Sequence, residues 1–416
     1  MIMDEQARKV LDENQREQFN LHGSRKDIEA TSEHPVMYKA LHSTPRTKHP
    51  FNLYRDIRSE PDAIEETLEI TSDPIDKVCE ELVTRDINTI INIGLPTSLF
   101  VGEVVTSAIV HHARVKSWYM DSTEFMLSRM PMDAGNTAYF FYSGSGSTHD
   151  TNAAAKMVQE RGGYSVAFTS VAGSLITKNC TNSIVCAGGM DTGGSDTFHY
   201  ATRVAAGLLL SFKLGAILNE GDNDIETKIR ELHGAPSQMR TRFDAWDARC
   251  WSIAKRFWKK RGILVVGGGP NWGSAEEMAL KFDEMAHNPA KAMIPTRHLH
   301  GVLGLTDESI LTIILGAPGS PHEKWLRQVM DVTTILKAPS IALVNDEETC
   351  MADQADYVVR FPTNDEYIYA LMVIPVLQLM PYYFAVADGT INPDCQRSNI
   401  PKHAKAWNHI FPPGSH

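Results

Sequence analysis

The chain has 416 residues, which is too long for one ordinary hydrophobic core and predicts two domains. Hydrophobic residues make up 43% of the sequence and charged residues 22%, a balance typical of globular proteins. The formal net charge of −11, without a long lysine or arginine run, argues against nucleic-acid binding. A local basic pocket for phosphate remains compatible with this charge, because net charge does not describe a single site.

The cysteines and the beginning of the chain indicate where the protein resides. The six cysteines are scattered without a CxxC pair, so a structural zinc site is not expected. The opening residues MIMDEQARKVLDENQREQF are charged throughout and do not resemble a signal peptide. No apolar run reaches the roughly 18 residues needed to span a bilayer. These features predict a cytoplasmic protein with free thiols and no membrane partner.

Three segments follow one another along the chain. Residues 1–73 are rich in charge, histidine and proline. We interpret them as an N-terminal extension that wraps the body or a neighbouring subunit, and a plain linker fits the composition equally well. Residues 74–240 and 241–416 each alternate helical and apolar segments, which predicts two domains with a boundary near 235–250. The second domain ends in a tail that carries Lys402.

Strands rich in β-branched residues alternate with helices in both halves. INTIINIG, TAYFFY and SVAFTSV are predicted strands of the first half, and ILVVGGG, SILTIILG and SIALVND of the second. Such alternation predicts parallel sheets with helices on both faces. We therefore expect an α/β protein of two doubly wound domains in tandem, with ligands bound in loops at the carboxyl ends of strands. Pro375 and Pro381 are expected to bend or break the last long helix.

A loop rich in hydroxyl groups follows the predicted strand TAYFFY. It reads SGSGSTHD and precedes a predicted helix. Its hydroxyl residues are Ser143, Ser145, Ser147 and Thr148. Gly144 and Gly146 allow a tight turn, and hydroxyl and N–H groups at a helix N-terminus favour an anion. This loop, called the serine loop below, is predicted to bind a phosphate, and a turn that only caps the helix is the alternative.

The glycines after ILVV are a weaker signal. In GGGPNWGS, Gly267 and Gly269 fit a GxGxxG fingerprint, but Trp272 stands at the third glycine position. A dinucleotide site is therefore disfavoured, and a second pocket or a plain tight turn explains these glycines. The serine loop lacks the GK[ST] of a Walker A motif, so it is not expected to bind a nucleotide in that way.

The serine loop and its surroundings resemble SIS (sugar isomerase) domain proteins. The likeness is greatest to the isomerase half of glucosamine-6-phosphate synthase and to fructosamine-6-phosphate deglycases, over about residues 74–404. That family carries Ser-x-Ser-Gly-x-Thr after a strand, and Gly144 stands here where the synthase has Gln. GLPTS resembles the family's Gly-Thr-Ser turn, and GGSDTF resembles its Ala-Ser-Thr segment. The resemblance places three further hydroxyl residues near the sugar, which are Thr97, Ser98 and Ser195.

Ionisable residues carry the resemblance through the second half. ALKFDEM resembles Ala-Leu-Lys-Leu-Lys-Glu-Ile, which aligns Lys281 and Glu284 with the family's lysine and glutamate. RHLHG resembles Glu-Leu-Lys-His-Gly and puts His300 on the family histidine. DGTINPDCQRSNIPKH puts Lys402 on the family lysine. The resemblance therefore implies that four ionisable side chains belong to one catalytic site.

The resemblance also implies a role for each of these side chains. Glu284 would shuttle a proton between C1 and C2 of an open-chain sugar, since one carboxylate can serve both carbons. His300 would open the sugar ring, and its family counterpart reaches into the neighbouring subunit's site, which implies a homodimer or larger homo-oligomer. Lys402 would form a Schiff base with the ketose or contact its oxygens. Lys281 would stabilise a developing enolate.

Without the resemblance these residues have simpler interpretations. A surface glutamate, a structural histidine and an exposed tail lysine explain Glu284, His300 and Lys402, and Glu277 with Lys281 has the spacing of a helical ion pair. His298 and His300 lack an evident third ligand, so no metal is expected. These alternatives can be separated only by the positions of the side chains in the fold.

Three functions fit the pattern. We favour a deglycase that converts a 6-phosphorylated ketosamine, an Amadori compound, into an aldose 6-phosphate and an amine or amino acid, without a cofactor. The alternatives are an aldose–ketose or aminosugar-phosphate isomerase or deaminase, and a non-catalytic regulator that senses a sugar phosphate. Arg297 and Val302 depart from the family's Glu and Pro. Since no glutaminase domain precedes the SIS pair, glutamine-dependent synthesis is not expected.

Overall fold

The computed structural model describes residues 46–128, 135–189, 192–219 and 223–395, together with isolated positions of the tail that include Lys402. Within these residues two five-stranded parallel sheets form, in the orders β2-β1-β3-β4-β5 and β7-β6-β8-β9-β10. The strands are β1 Thr89–Gly94, β2 Lys116–Asp121, β3 Thr137–Tyr142, β4 Tyr164–Thr169, β5 Asn182–Val185, β6 Gly262–Val266, β7 Ala290–Met293, β8 Ile310–Gly316, β9 Ser340–Asn345 and β10 Tyr357–Phe361. The second sheet repeats the order of the first, so the predicted pair of doubly wound α/β domains is confirmed.

Helices pack against these sheets. They are α1 Asn52–Arg58, α2 Glu60–Ile70, α3 Ser72–Thr84, α4 Ser98–Ala108, α5 Ser122–Leu127, α6 His149–Glu160, α7 Leu175–Asn179, α8 Thr197–Leu218, α9 Asn223–Phe257, α10 Asn271–Lys281, α11 Pro295–Leu299, α12 Glu323–Ile335, α13 Glu366–Met372 and α14 Ile374–Asp388. Two turns of π-helix, at Ile109–Ala113 and Phe282–Ala286, extend α4 and α10. Short 3₁₀ turns lie at Val302–Leu305 and Pro393–Cys395.

Burial explains which strands the sequence reveals. β3 and β8 are buried along their whole length, and both were predicted from continuous apolar runs. β7 was not predicted, because it is an edge strand of four residues, AKAM, of which only Met293 is buried. Central parallel strands therefore carry a strong apolar signal, whereas a short edge strand does not.

A single helix of 35 residues, α9, runs through the position where the sequence suggested a boundary. The predicted boundary between residues 240 and 241 falls inside this helix, and Pro236 is accommodated within it. α9 packs along α14 of the second half and also contacts α2 and α8 of the first half. The chain therefore passes between the two sheets on a shared helix rather than on an irregular linker.

Two apolar helical stretches, Thr197–Leu218 and Glu366–Asp388, pass a length-and-composition test for membrane-spanning helices. In the apolar 18-residue segments of these two stretches, 78% and 89% of the segment is buried inside the protein, as is typical of core helices. The second stretch is interrupted at Val373, and Pro375 stands in the first turn of the following helix. The predicted break near Pro375 is therefore present, whereas Pro381 remains inside α14.

Residues 46–70 wrap the body of their own chain. The backbone amides of Asn52 and Leu53 donate to the Asp394 carboxylate at 2.9 and 2.8 Å. Asp56 on α1 accepts from the amides of Thr192 and Gly193 at 2.8 and 2.7 Å. This part of the predicted extension thus links the C-terminal region to the segment that precedes Ser195, while residues 1–45 lie outside the described residues.

Replacing Asp56 by alanine is expected to lower the free energy of unfolding by about 2–3 kcal/mol, because one buried and one partly buried amide lose a charged acceptor. The control is Asp62→Ala, which removes an exposed ion pair with Arg240 and should cost less than about 1 kcal/mol. Urea unfolding of both variants measures the difference. Equal losses in the two variants would show that Asp56 does not hold the segment before Ser195.

Candidate active site

The serine loop lies at the carboxyl end of β3, between Tyr142 and the first turn of α6. Ser143 is buried, and its hydroxyl lies 3.0 Å from that of Thr148. The Ser147 hydroxyl donates to the Ser145 hydroxyl at 2.9 Å. Gly146 has a φ of +67°, the left-handed conformation that glycine adopts without strain. The loop thus gathers four hydroxyl groups at the helix N-terminus, as the phosphate-binding prediction requires.

The other three predicted hydroxyl residues lie at helix starts of the first domain, where each contacts an ionisable side chain. Thr97 precedes α4 with a φ of 67°, a rare backbone for a β-branched residue. Its hydroxyl accepts from Lys281 Nζ at 3.0 Å. The Ser98 hydroxyl accepts from a buried guanidinium, that of Arg203, at 2.5 Å. The Ser195 hydroxyl donates to Glu284 Oε2 at 3.5 Å.

Glu284 and Lys281 meet these hydroxyls from the second domain. Lys281 ends α10, and Glu284 lies in the π-helical turn that follows it. Lys281 is fully buried, and its ammonium lies 3.1 Å from Glu284 Oε2 and 3.3 Å from Glu277 Oε1. The Glu284 side chain is 27% exposed, whereas Glu277 is fully buried. One ammonium therefore joins two carboxyls, of which only Glu284 is accessible to a ligand.

Burial and mutual electrostatic interactions set the protonation of Lys281 and Glu277. Burial opposes the Lys281 ammonium, but three nearby carboxyls, foremost Glu277, outweigh it and raise the Lys281 pKa above its ordinary value. Burial raises the pKa of Glu277 to about 7, although Lys281 acts in the opposite direction. Lys281 is therefore a permanent cation here, suited to stabilise an oxyanion and unsuited to act as a free amine.

A charged cluster that sequence reasoning missed lies between the serine loop and Lys281. Asp196 accepts from Arg203 at 2.9 Å, and its other oxygen lies 2.5 Å from His199 Nδ1. All three residues belong to the start of α8. The sequence GGSDTFHYATR does contain a signal for this cluster, because the spacing i, i+3 and i+7 puts the three ionisable side chains on one face of a helix.

Among the residues that the structure describes, two predicted catalytic residues do not contact Glu284. His300 follows α11 and is exposed, and its side chain makes no hydrogen bond or ion pair among the described residues. Lys402 is likewise exposed and makes no such contact with the described part of the chain. The neighbouring His298 is buried instead, with Nε2 3.0 Å from the Thr306 hydroxyl. The roles of His300 and Lys402 stay predictions.

Two carboxyls, Glu103 on α4 and Glu276 on α10, interact where these helices pack together. Glu103 is 5% exposed, and burial together with Glu276 raises its pKa to about 10. The Glu103 carboxyl is therefore held neutral in the folded protein, while in the unfolded chain it ionises near pH 4.5. This difference makes the folded state less stable as the pH rises from 4.5 towards 10.

Replacing Glu103 by glutamine is therefore expected to raise the free energy of unfolding at pH 8, by about 1–3 kcal/mol, and by less at pH 5. Glutamine keeps the shape and cannot ionise, so the cost of keeping a carboxyl neutral disappears. Urea unfolding at both pH values measures the effect, with the exposed Glu66→Gln as the control. A loss of stability that is the same at both pH values would contradict this account of Glu103.

A family model named SIS domain matches residues 85–210 and 256–387, which together are more than half of the chain. The chain belongs to the SIS domain family. Each matched range covers one of the two sheets, so both domains are SIS domains. The resemblance drawn from the serine loop and from the lysine–glutamate motif is thereby confirmed at the level of the family.

Among curated proteins, glutamine–fructose-6-phosphate aminotransferases are similar to this SIS protein. That of Thermococcus kodakarensis is 24% identical over 359 residues, which cover 86% of this chain and 58% of that protein. That of Methanosarcina acetivorans is 27% identical over 260 residues, which cover 62% of this chain and 42% of that protein. The chain thus spans about half the length of the relatives it matches.

Solved structures share the fold at low sequence identity. The C-terminal domain of glucosamine-fructose-6-phosphate aminotransferase from Francisella tularensis has a TM-score of 0.75 at 18% identity, covering 82% of this chain and 97% of that one. Tagatose-6-phosphate ketose/aldose isomerase from Escherichia coli has a TM-score of 0.69 at 18% identity, covering 85% and 97%. Glucosamine-6-phosphate deaminase from Thermotoga maritima has a TM-score of 0.62 at 16% identity, and the match covers 82% of this chain and 96% of that one.

Proposed function

We propose that this SIS protein is a deglycase that acts on a 6-phosphorylated ketosamine and releases an aldose 6-phosphate and an amine or amino acid. The observation that carries the proposal is the Glu284 carboxylate, which is partly exposed and hydrogen-bonded by Lys281 and Ser195. Ser195, which donates to Glu284, is followed in the chain by Asp196, whose carboxylate lies beside Gly144 of the serine loop.

The serine loop would hold the terminal phosphate through its hydroxyls and the first amides of α6. Glu284 would take a proton from C1 of the open-chain ketosamine, and the electron pair would move to the C2 oxygen. The Lys281 ammonium, 3.1 Å from Glu284, is placed to stabilise the enolate that forms. Glu284 would then return a proton to C2, which leaves an imine at C1.

Water would add to this imine, and the carbon–nitrogen bond would break to give the C1 aldehyde and the free amine. The reaction consumes one water and neither oxidises nor reduces the substrate, so these residues need no cofactor for it. His300 would open the ring of the cyclic substrate, and Lys402 would contact its oxygens. We propose that His300 acts in the site of a neighbouring subunit of a cytoplasmic homodimer, and its exposure in the single chain fits that role.

An aldose–ketose isomerase is the second candidate. Glu284 and Lys281 would perform the same proton transfer on a ketose 6-phosphate, and the fold is shared with tagatose-6-phosphate ketose/aldose isomerase. The two candidates differ in the group at C1, which is an amine in one case and a hydroxyl in the other.

Incubation with a fructosamine 6-phosphate and, separately, with fructose 6-phosphate distinguishes the two. A deglycase releases free amine and glucose 6-phosphate from the first and leaves the second unchanged. Interconversion of fructose 6-phosphate with glucose 6-phosphate, without amine release from the first compound, would favour the isomerase. Binding of both compounds without turnover of either would favour a sugar-phosphate-sensing regulator.

A further inference from the structure

The carboxylate of Asp196 is locked into one orientation at the centre of the candidate site. Arg203 is fully buried, and it joins Asp196 at 2.9 Å to the Ser98 hydroxyl at 2.5 Å. His199 is also buried, and its two ring nitrogens face Asp196 Oδ1 and the Gly189 carbonyl. Side chains this constrained hold the carboxylate without freedom to turn.

The fold keeps Asp196 in this place at a cost. Asp196 has a φ of 56°, a left-handed conformation that is uncommon outside glycine, although aspartate adopts it more often than most other residues. Burial would raise the pKa of Asp196, but Arg203 and His199 oppose burial and hold the pKa far below its ordinary range. Strain together with a permanent charge in one spot is typical of residues that bind or act on a ligand.

Gly144 of the serine loop makes room for this carboxylate. A Cβ atom at position 144 would lie 2.7 Å from Asp196 Oδ1 and 2.7 Å from His199 Nδ1, closer than real Cβ contacts. Asp196 thus stands between the serine loop and Ser195, which donates to Glu284.

We propose that Asp196 is a specificity-determining residue that binds the hydroxyl groups in the middle of the open-chain sugar, and this rests on the proposed function. The phosphate would occupy the serine loop at one end, and C1 and C2 would face Glu284 at the other. Asp196 lies between these two ends, and 32% of its side chain is exposed. Each carboxylate oxygen has a second lone pair beyond those used by Arg203 and His199, so both can accept from sugar hydroxyls.

The test measures binding rather than turnover, so that it remains valid if the deglycase proposal fails. The probes are glucitol 6-phosphate, hexyl phosphate and inorganic phosphate, which share the phosphate and differ in their hydroxyls. In Asp196→Asn, the affinity for glucitol 6-phosphate relative to that for hexyl phosphate should fall by 10-fold or more. This is the size of effect expected when a charged acceptor of hydrogen bonds is lost. Inorganic phosphate should bind at least as tightly as before, since a negative charge nearby is gone.

The control is Asp150→Asn, which removes a partly exposed carboxylate from the first turn of α6, directly after the serine loop. It should change the affinity of all three probes by a similar factor. An unchanged ratio between glucitol 6-phosphate and hexyl phosphate in Asp196→Asn would overturn the proposal. An equal loss for all three probes would also overturn it, because Asp196 would then only support the loop.

Asp196→Asn removes a partner of Arg203 and can fail to fold, so a second measurement uses the unchanged protein. The 3-deoxy and 4-deoxy forms of glucitol 6-phosphate each lack one hydroxyl in the middle of the chain. At least one of them should bind 5-fold or more weakly than the parent compound. Equal affinity of all three compounds would refute a contact between the protein and these hydroxyls.

Discussion

Replacing Glu284 by glutamine is expected to lower kcat on a fructosamine 6-phosphate by about 10³-fold, within the range by which a positioned base accelerates proton transfer. Glutamine keeps the shape of the side chain and can still accept from Lys281 and Ser195, but it cannot take a proton from C1. The dissociation constant for glucitol 6-phosphate should change by less than about threefold, since the serine loop is untouched. Steady-state kinetics and calorimetry give the two values.

The matched control for this variant is Asp283→Asn, one residue earlier in the same π-helical turn. Asp283 accepts from the amide of Ala290 at 3.0 Å and is exposed, away from Lys281. Its kcat should stay within about fivefold of the unchanged protein. Comparable losses in both variants, or a Glu284→Gln protein that retains most of its turnover, would remove Glu284 from the mechanism.

Replacing Lys281 by methionine is expected to reduce both stability and turnover. The free energy of unfolding should fall by about 3–5 kcal/mol, because fully buried Glu277 loses the cation beside it. Turnover should fall by about 10²-fold or more, because no cation would face the developing enolate. Urea unfolding and steady-state kinetics measure the two losses separately.

The stability loss should depend on pH in a defined direction. The folded-state pKa of Glu277 is already raised from 4.5 to about 7, so the unfolded chain gives up this proton at lower pH than the folded protein. Without Lys281 that pKa rises further, and the loss of stability should grow between pH 5 and pH 8. A loss that shrinks across this range would contradict the assigned ion pair.

Adding Glu277→Gln to Lys281→Met separates the two effects. The double variant no longer buries an ionisable carboxyl without a partner, so most of the lost stability should return. Turnover should not return, since the cation remains absent. If the double variant regains activity together with stability, Lys281 serves the fold rather than the reaction.

The sequence predicts those parts of the fold that depend on residues close together in the chain. Continuous apolar runs such as TAYFFY and SILTIILG mark buried central strands, because a strand covered on both faces has no polar positions. The hydroxyl loop between a strand and a helix is similarly visible, since its residues are adjacent in sequence. Of the motif ALKFDEM, Lys281 and Glu284 are three residues apart and meet on one helical turn.

Apart from the local cluster of Asp196, His199 and Arg203, the features that escaped prediction depend on residues far apart in the chain. Arg203 and Ser98 are separated by 105 positions, and Asn52 and Asp394 by 342. No pattern in a window of ten or twenty residues records such pairs. The sequence suggests that residues 1–73 wrap the body or a neighbouring subunit, but it does not show the contacts of residues 46–70: the segment reads as polar, yet Leu53, Ile57 and Ile64 are fully buried.

The space available to a side chain in the folded protein is a second property that the sequence does not reveal. Gly144 reads as a flexible turn residue, whereas the structure gives it a steric reason, because a Cβ would collide with Asp196 and His199. The opposite case is His298, which looks as suited to catalysis as His300 in RHLHG but is buried against Thr306. Apart from the family resemblance, which selects His300, only the packing of the second domain distinguishes these two histidines.

The central claim is that Glu284 moves a proton from C1 to C2 of a phosphorylated ketosamine, and a substrate with two deuterium atoms on C1 tests it most directly. Mass spectrometry and NMR of the sugar phosphate formed report whether it is an aldose or a ketose and how many deuterium atoms remain on C1. The account predicts amine release with an aldose 6-phosphate that keeps one deuterium on C1, and product formation about 10³-fold slower with Glu284→Gln. Amine release that yields a ketose 6-phosphate with both deuterium atoms still on C1, or product formation by Glu284→Gln at an undiminished rate, would contradict it.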